Sequence, residues 1–111
     1  MRTFLKLAFS AVIFAMLWVT IVASRDRDVL TAAAEIWADP WGRATLFDAY
    51  FAFLTVWLVI AWRERSVLAR VFWLVAILVL GNFAIAAYFL IALWRLPPGA
   101  EWGGIFARPQ R

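Results

Sequence analysis

An all-α membrane protein with three transmembrane helices is the fold class this sequence predicts, and three observations predict it. The first is a set of long apolar runs. Leu7–Ala23 has 17 residues without a charge, Ala44–Trp62 has 19 with Asp48 as its only charge, and Val71–Trp94 has 24 with none. A helix crosses the hydrocarbon core with roughly 20 apolar residues. The second is composition: 67% of the 111 residues are hydrophobic and 16% charged, whereas soluble domains sit nearer half and a quarter. A chain this short could not bury so much apolar surface in water. The third is the placement of tryptophan. Seven of the eight, from Trp18 and Trp37 to Trp94 and Trp102, fall near expected helix ends or in flanking segments. An amphipathic ring rests there at headgroup level.

The elements follow in order within one domain, residues 1–111. A basic lead with Arg2 and Lys6 precedes the first span, about residues 5–23. Its apolar stretch exceeds the roughly 7–15 residues of a signal-peptide core, so it is expected to stay as an anchor. Asp28 can cap a short helix over about 28–38, with Val29, Leu30, Ala33, Ile36 and Trp37 on one side. Such a helix can lie in the membrane interface or be an ordinary solvated loop helix. Asp39-Pro40 suits a helix start, which places the second span at about 41–63. A competing start at Thr45-Leu46-Phe47-Asp48 would make Asp48 a capping residue. Arg63-Glu64-Arg65-Ser66 opens a short connection, so the second and third spans should be antiparallel neighbours. The third span, about 71–95, stops at Pro97-Pro98-Gly99, and the tail 97–111 is expected to be loose.

Composition also limits chemistry. There is no Cys and no His, which removes thiolate and imidazole ligands, disulfides and the usual proton carriers. No paired carboxylates, phosphate loop or nucleophile–base motif occurs. The chain is therefore expected to be no enzyme and to hold no cofactor or metal. Its net charge of +4 comes from arginines at helix ends, which suits headgroups and topology and not nucleic acid. The expected location is a membrane, the bacterial inner membrane. With three spans, the basic residues divide five to the side of the N-terminus and six to the other, counted along the sequence. Orientation then rests on the first helix, with the N-terminus expected in the cytoplasm.

A few polar residues lie where lipid should be. Asp48 falls about 12 Å along a helix that starts at Pro40. Asn82 falls near the middle of the third run. If the second hairpin turns near residue 66, Asp48 and Asn82 lie within about 5 Å in depth. Asp48, Tyr50, Asn82 and Tyr88 are thus a candidate intramembrane polar cluster, with Gly81 and Ala52 as helix-packing positions. Arg63, Glu64 and Arg65 form a candidate interfacial charge cluster. Two functions fit. One is a non-enzymatic accessory or homo-oligomeric membrane component, or part of a larger membrane complex, whose polar residues serve packing. The other is an oligomeric transporter or channel with Asp48 as its proton or cation site.

Asp39-Pro40-Trp41, Thr45-Leu46, Asp48-Ala49-Tyr50, Trp57, Arg63-Glu64-Arg65-Ser66, Trp73, Gly81-Asn82 and Tyr88, in this order and spacing, resemble a family of small bacterial and plant membrane proteins. It is domain of unknown function family 1475, and the resemblance covers roughly residues 3–98. The family commonly has Lys where this chain has Arg63, and Ser where it has Asn82. Both changes keep charge or polarity. The family has no assigned activity, so the resemblance implies a membrane fold and no mechanism.

Overall fold

The computed structural model describes residues 1–109. Gln110 and Arg111, the end of the tail expected to be loose, lie outside the described residues, as does the Arg111 charge counted above. Among the described residues there are five α-helices and no strand: α1 Arg2–Asp26, α2 Val29–Ala38, α3 Pro40–Arg63, α4 Val67–Leu80 and α5 Asn82–Arg95. A 3-10 turn, Trp102–Phe106, follows.

The first four expected boundaries fall close to these. Asp28 caps α2, accepting from the Thr31 N–H at 3.2 Å and the Thr31 hydroxyl at 2.6 Å. The Arg27 guanidinium pairs with Asp26 and with Glu35, which fastens the end of α1 to α2. Pro40 stands in the first turn of α3, where its missing N–H costs nothing. The competing start at Thr45 is not used. The Thr45 hydroxyl instead donates back to the Trp41 carbonyl at 2.9 Å, inside an unbroken helix. Asp48 is consequently not a cap and lies two turns into α3.

The third expected span is corrected. Among the described residues only α1 and α3 are helices long and apolar enough to cross a membrane. The 71–95 run is not one helix, because Gly81 takes φ +58° and ψ −124° and reverses the chain. A straight helix would hold Trp73 and Tyr88 about 22 Å apart. Their rings meet edge to face with centroids 4.9 Å apart. So α4 and α5 are the two legs of a helical hairpin, each 14 residues and about 21 Å long. Residues other than glycine rarely adopt this backbone conformation. Apolar composition cannot signal the reversal, since both legs are as greasy as a span.

The other contacts fix the arrangement. Helices α3 and α4 run antiparallel: the Trp57 indole N–H donates to the Arg70 carbonyl at 2.9 Å, and the Tyr50 hydroxyl to the Leu78 carbonyl at 3.1 Å. Helix α1 runs antiparallel to α5, with Phe9 stacked on Phe89 and the Lys6 ammonium 3.9 Å from the Trp94 ring centre. At the end of α5 the Arg2 guanidinium donates to the carbonyls of Leu96 at 2.8 Å and Pro97 at 2.9 Å. A cation there satisfies orphan carbonyls and opposes the helix dipole. The N-terminus, the 64–66 connection and the end of α5 therefore gather at one end of the molecule. The α1–α2 connection and the start of α3 occupy the other.

The small core consists of Ile60, Ile77, Ala84, Tyr88, Phe89, Ala92, Leu93 and Ile105. Ile105 comes from the tail, so the expectation of a loose tail fails over its described part. Apolar burial docks the 3-10 turn on α5, with the Phe106 and Phe89 ring centroids 5.4 Å apart. Helix α1 contributes no buried residue, and Phe4, Leu7, Phe14 and Trp18 are exposed. The exposed surface is 8081 Å², against about 6200 Å² for a compact soluble protein of this mass.

Candidate functional site

Among the described residues no hydrogen bond joins any two of the four residues expected to form one polar cluster. Tyr50 caps the far end of α4. The carbonyls of its last turn have no partner within the helix, and the Tyr50 hydroxyl satisfies that of Leu78. Tyr88 lies midway along α5 against Trp73, and its hydroxyl reaches the α3–α4 connection at Glu64. Asp48 and Asn82 are exposed, and neither side chain makes a hydrogen bond among the described residues. The Gly81 reversal is the cause, since it carries Tyr88 back toward the 64–66 connection instead of onward along a span. Gly81 itself serves the turn; a Cβ there would also stand 3.1 Å from Phe53 Cζ. Ala52 is exposed on α3 and is not a packing position within the chain.

The charge cluster expected at Arg63, Glu64 and Arg65 is where the chain concentrates polar contacts. Arg63 ends α3 and is 9% exposed; Tyr88 is 5% exposed. Arg63 Nη1 donates to the Tyr88 hydroxyl at 3.1 Å, and that hydroxyl donates to Glu64 Oε2 at 3.1 Å. Arg63 Nε donates to the Ala107 carbonyl at 3.0 Å, and Arg65 Nη2 to the Pro109 carbonyl at 3.0 Å. Arg70 Nε reaches the Ala61 and Glu64 carbonyls, both at 2.9 Å, and completes the end of α3. The two arginines of the cluster thus tie the tail to the α3–α4 connection, and Tyr88 links Arg63 to Glu64.

These groups wall a cavity of about 910 Å³ between α5, the tail and the α3–α4 connection. Arg95 and Arg108 line it together with Arg63 and Glu64, and Trp73, Ile91 and Leu96 supply apolar wall. Arg108 lies over Trp62, its guanidinium carbon 5.2 Å from the ring centre, and its Nε is buried without a hydrogen-bond partner among the described residues. Arg63 and Glu64, expected in one interfacial charge cluster, are joined here through the Tyr88 hydroxyl. Arg95 and Arg108 join them unanticipated: the Gly81 reversal returns Arg95 to this end, and nothing in a Gly- and Pro-containing tail signals that it carries Arg108 back. Among the described residues no group of acids is placed to hold a metal ion. Comparison with family models, curated proteins and solved structures finds no match for this chain, so neither the resemblance to family 1475 nor any activity gains support from relatives.

Proposed function

We propose that this chain is a small integral membrane protein, a non-enzymatic accessory or self-assembling membrane component, in which α1 and α3 cross the bilayer and α4–α5 enters and leaves from one side. The observation that carries the reading is the outward apolar face of two helices of spanning length. Trp41 and Trp62, both exposed on α3, stand 21 residues or about 31 Å apart, close to the roughly 30 Å hydrocarbon thickness. The hairpin legs, at about 21 Å, are too short to cross. Irregular backbone at membrane depth is tolerated where protein shelters it. Phe53 and Tyr50 of α3 supply that shelter at Gly81 and Leu78.

The hairpin changes the charge balance. Arg2, Lys6, Arg63, Arg65, Arg70, Arg95 and Arg108 belong to the end with the N-terminus and the described tail, against Arg25, Arg27 and Arg43 at the other. The near balance expected for three spans becomes seven to three. By the excess of basic residues in cytoplasmic segments, the end with the N-terminus and the described tail faces the cytoplasm. Asp48 and Asn82 then need partners that this chain does not supply, which favours contact with a second copy or another subunit. The primary test is extraction: the protein stays in the membrane fraction through alkaline carbonate and leaves it only with detergent. Release as a monodisperse, detergent-free species would sink the proposal. Asp48→Asn separates assembly from transport. Retained oligomer mass on native mass spectrometry with unaltered ion flux in liposomes fits packing. Lost flux with intact assembly would move Asp48 to a coupling role.

A further inference from the structure

We propose that the cavity between α5, the tail and the α3–α4 connection is a binding site for a phosphate group, the headgroup phosphate of an anionic phospholipid. The first ground is charge. Arg63, a guanidinium, is nine-tenths buried. Among the described residues no carboxylate comes within 4 Å of it, Arg95 or Arg108, since the only ion pairs are those of Arg27. Three arginines therefore face one acid, Glu64, whose carboxylate is engaged by the Tyr88 hydroxyl. A buried cation with no carboxylate in direct contact is costly, and an anion in the cavity reduces that cost.

The second ground is unused hydrogen-bonding capacity. Arg63 spends Nε on Ala107 and Nη1 on Tyr88, while its Nη2 donates to nothing among the described residues. Arg108 Nε is buried and also without a partner. Both arginines line the same cavity, and guanidinium groups bind a tetrahedral oxyanion through paired, charge-assisted hydrogen bonds.

The third ground is shape and place. The cavity is large enough for more than a bare ion, and Trp73, Ile91, Ala92 and Leu96 give it an apolar side. It lies at the end of the molecule richest in basic residues, beside exposed Trp62 and Trp94. Basic pockets between membrane helices on the cytoplasmic side take lipid headgroups in this manner. The choice of a lipid over free phosphate rests on the membrane reading; the choice of a phosphate does not.

The test uses the full chain in a nonionic detergent, with thermal unfolding followed as phosphatidylglycerol, phosphatidylcholine or inorganic phosphate is added. Phosphatidylglycerol is expected to raise the midpoint and phosphatidylcholine to leave it nearly unmoved. Arg108→Gln, a half-exposed position whose loss the fold should survive, is expected to weaken phosphatidylglycerol binding about tenfold without changing the lipid-free midpoint. Arg63→Gln should weaken it further. Protection by inorganic phosphate alone, abolished by Arg108→Gln, would keep the phosphate site and overturn the lipid as its source. Indifference to both, equal protection by the two lipids, or unchanged affinity in a folded Arg108→Gln protein would overturn the site. A detergent-requiring protein with no anion response loses only this proposal, whereas a water-soluble one loses the membrane reading and leaves the phosphate titration to decide the site.

Discussion

Replacing Gly81 by alanine attacks the hairpin at the residue that makes it. Gly81 holds φ +58° and ψ −124°, a region that residues with a Cβ enter at a cost of about 1–3 kcal/mol. The added methyl would also stand 3.1 Å from Phe53 Cζ, so that half-buried ring must give by a few tenths of an ångström. A continuous helix through 67–95 avoids both costs but would run about 43 Å, well beyond the hydrocarbon core, and would carry the tail to the opposite face. Gly81→Ala is therefore expected to lower the unfolding free energy in mixed micelles by about 1–3 kcal/mol, where 1.4 kcal/mol is a tenfold change in the equilibrium. Topology is read separately. The chain has no cysteine, so single cysteines at Thr3, Ala34 and Gly103 report position without background. A Cβ at Gly103 meets open space, and Thr3 and Ala34 are exposed. With a membrane-impermeant maleimide, positions 3 and 103 should label from one face and 34 from the other. Labelling of positions 3 and 103 from opposite faces in the parent chain would refute the hairpin. An unaltered stability in Gly81→Ala would refute the positive φ.

Three further outcomes follow from the contacts. Tyr50→Phe strips the hydroxyl from the Leu78 carbonyl and should cost about 1 kcal/mol in the same micelle titration, with helix content by circular dichroism unchanged. Arg2→Gln leaves the end of α5 without its cation and should cost about 1–2 kcal/mol, and proteolysis should cut the tail faster. Asp28 carries the pH dependence outside the expected spans. The Thr31 hydroxyl and N–H hold its carboxyl below its ordinary value, so its cap stabilises α2 above that value and the contribution is lost as pH falls through the lowered one. The thermal midpoint should therefore fall on acidification below about pH 4 by an increment that Asp28→Asn abolishes. An identical pH profile in that variant would refute the assignment.

Much of the architecture is written locally. The charge-free run of Leu7–Ala23 makes α1, Asp28 and Thr31 start α2, and Asp39-Pro40 and the Arg63–Ser66 connection bound α3, because caps, prolines and apolar run length act over a few residues. What escaped the linear reading is the fate of the third run. One glycine in 24 apolar residues looks like a packing position, and only its contacts with Phe53 and the meeting of Trp73 with Tyr88 reveal a reversal. That reversal carries Tyr88 away from Asp48 and Tyr50, brings the tail onto α5, and assembles Arg63, Arg95 and Arg108 from positions up to 45 residues apart around one cavity. Helical, strongly apolar character is legible along the chain, since it depends on side-chain chemistry summed over each run. The tertiary structure alone decided which polar groups share a site, because a backbone angle at one residue sets the direction of everything after it.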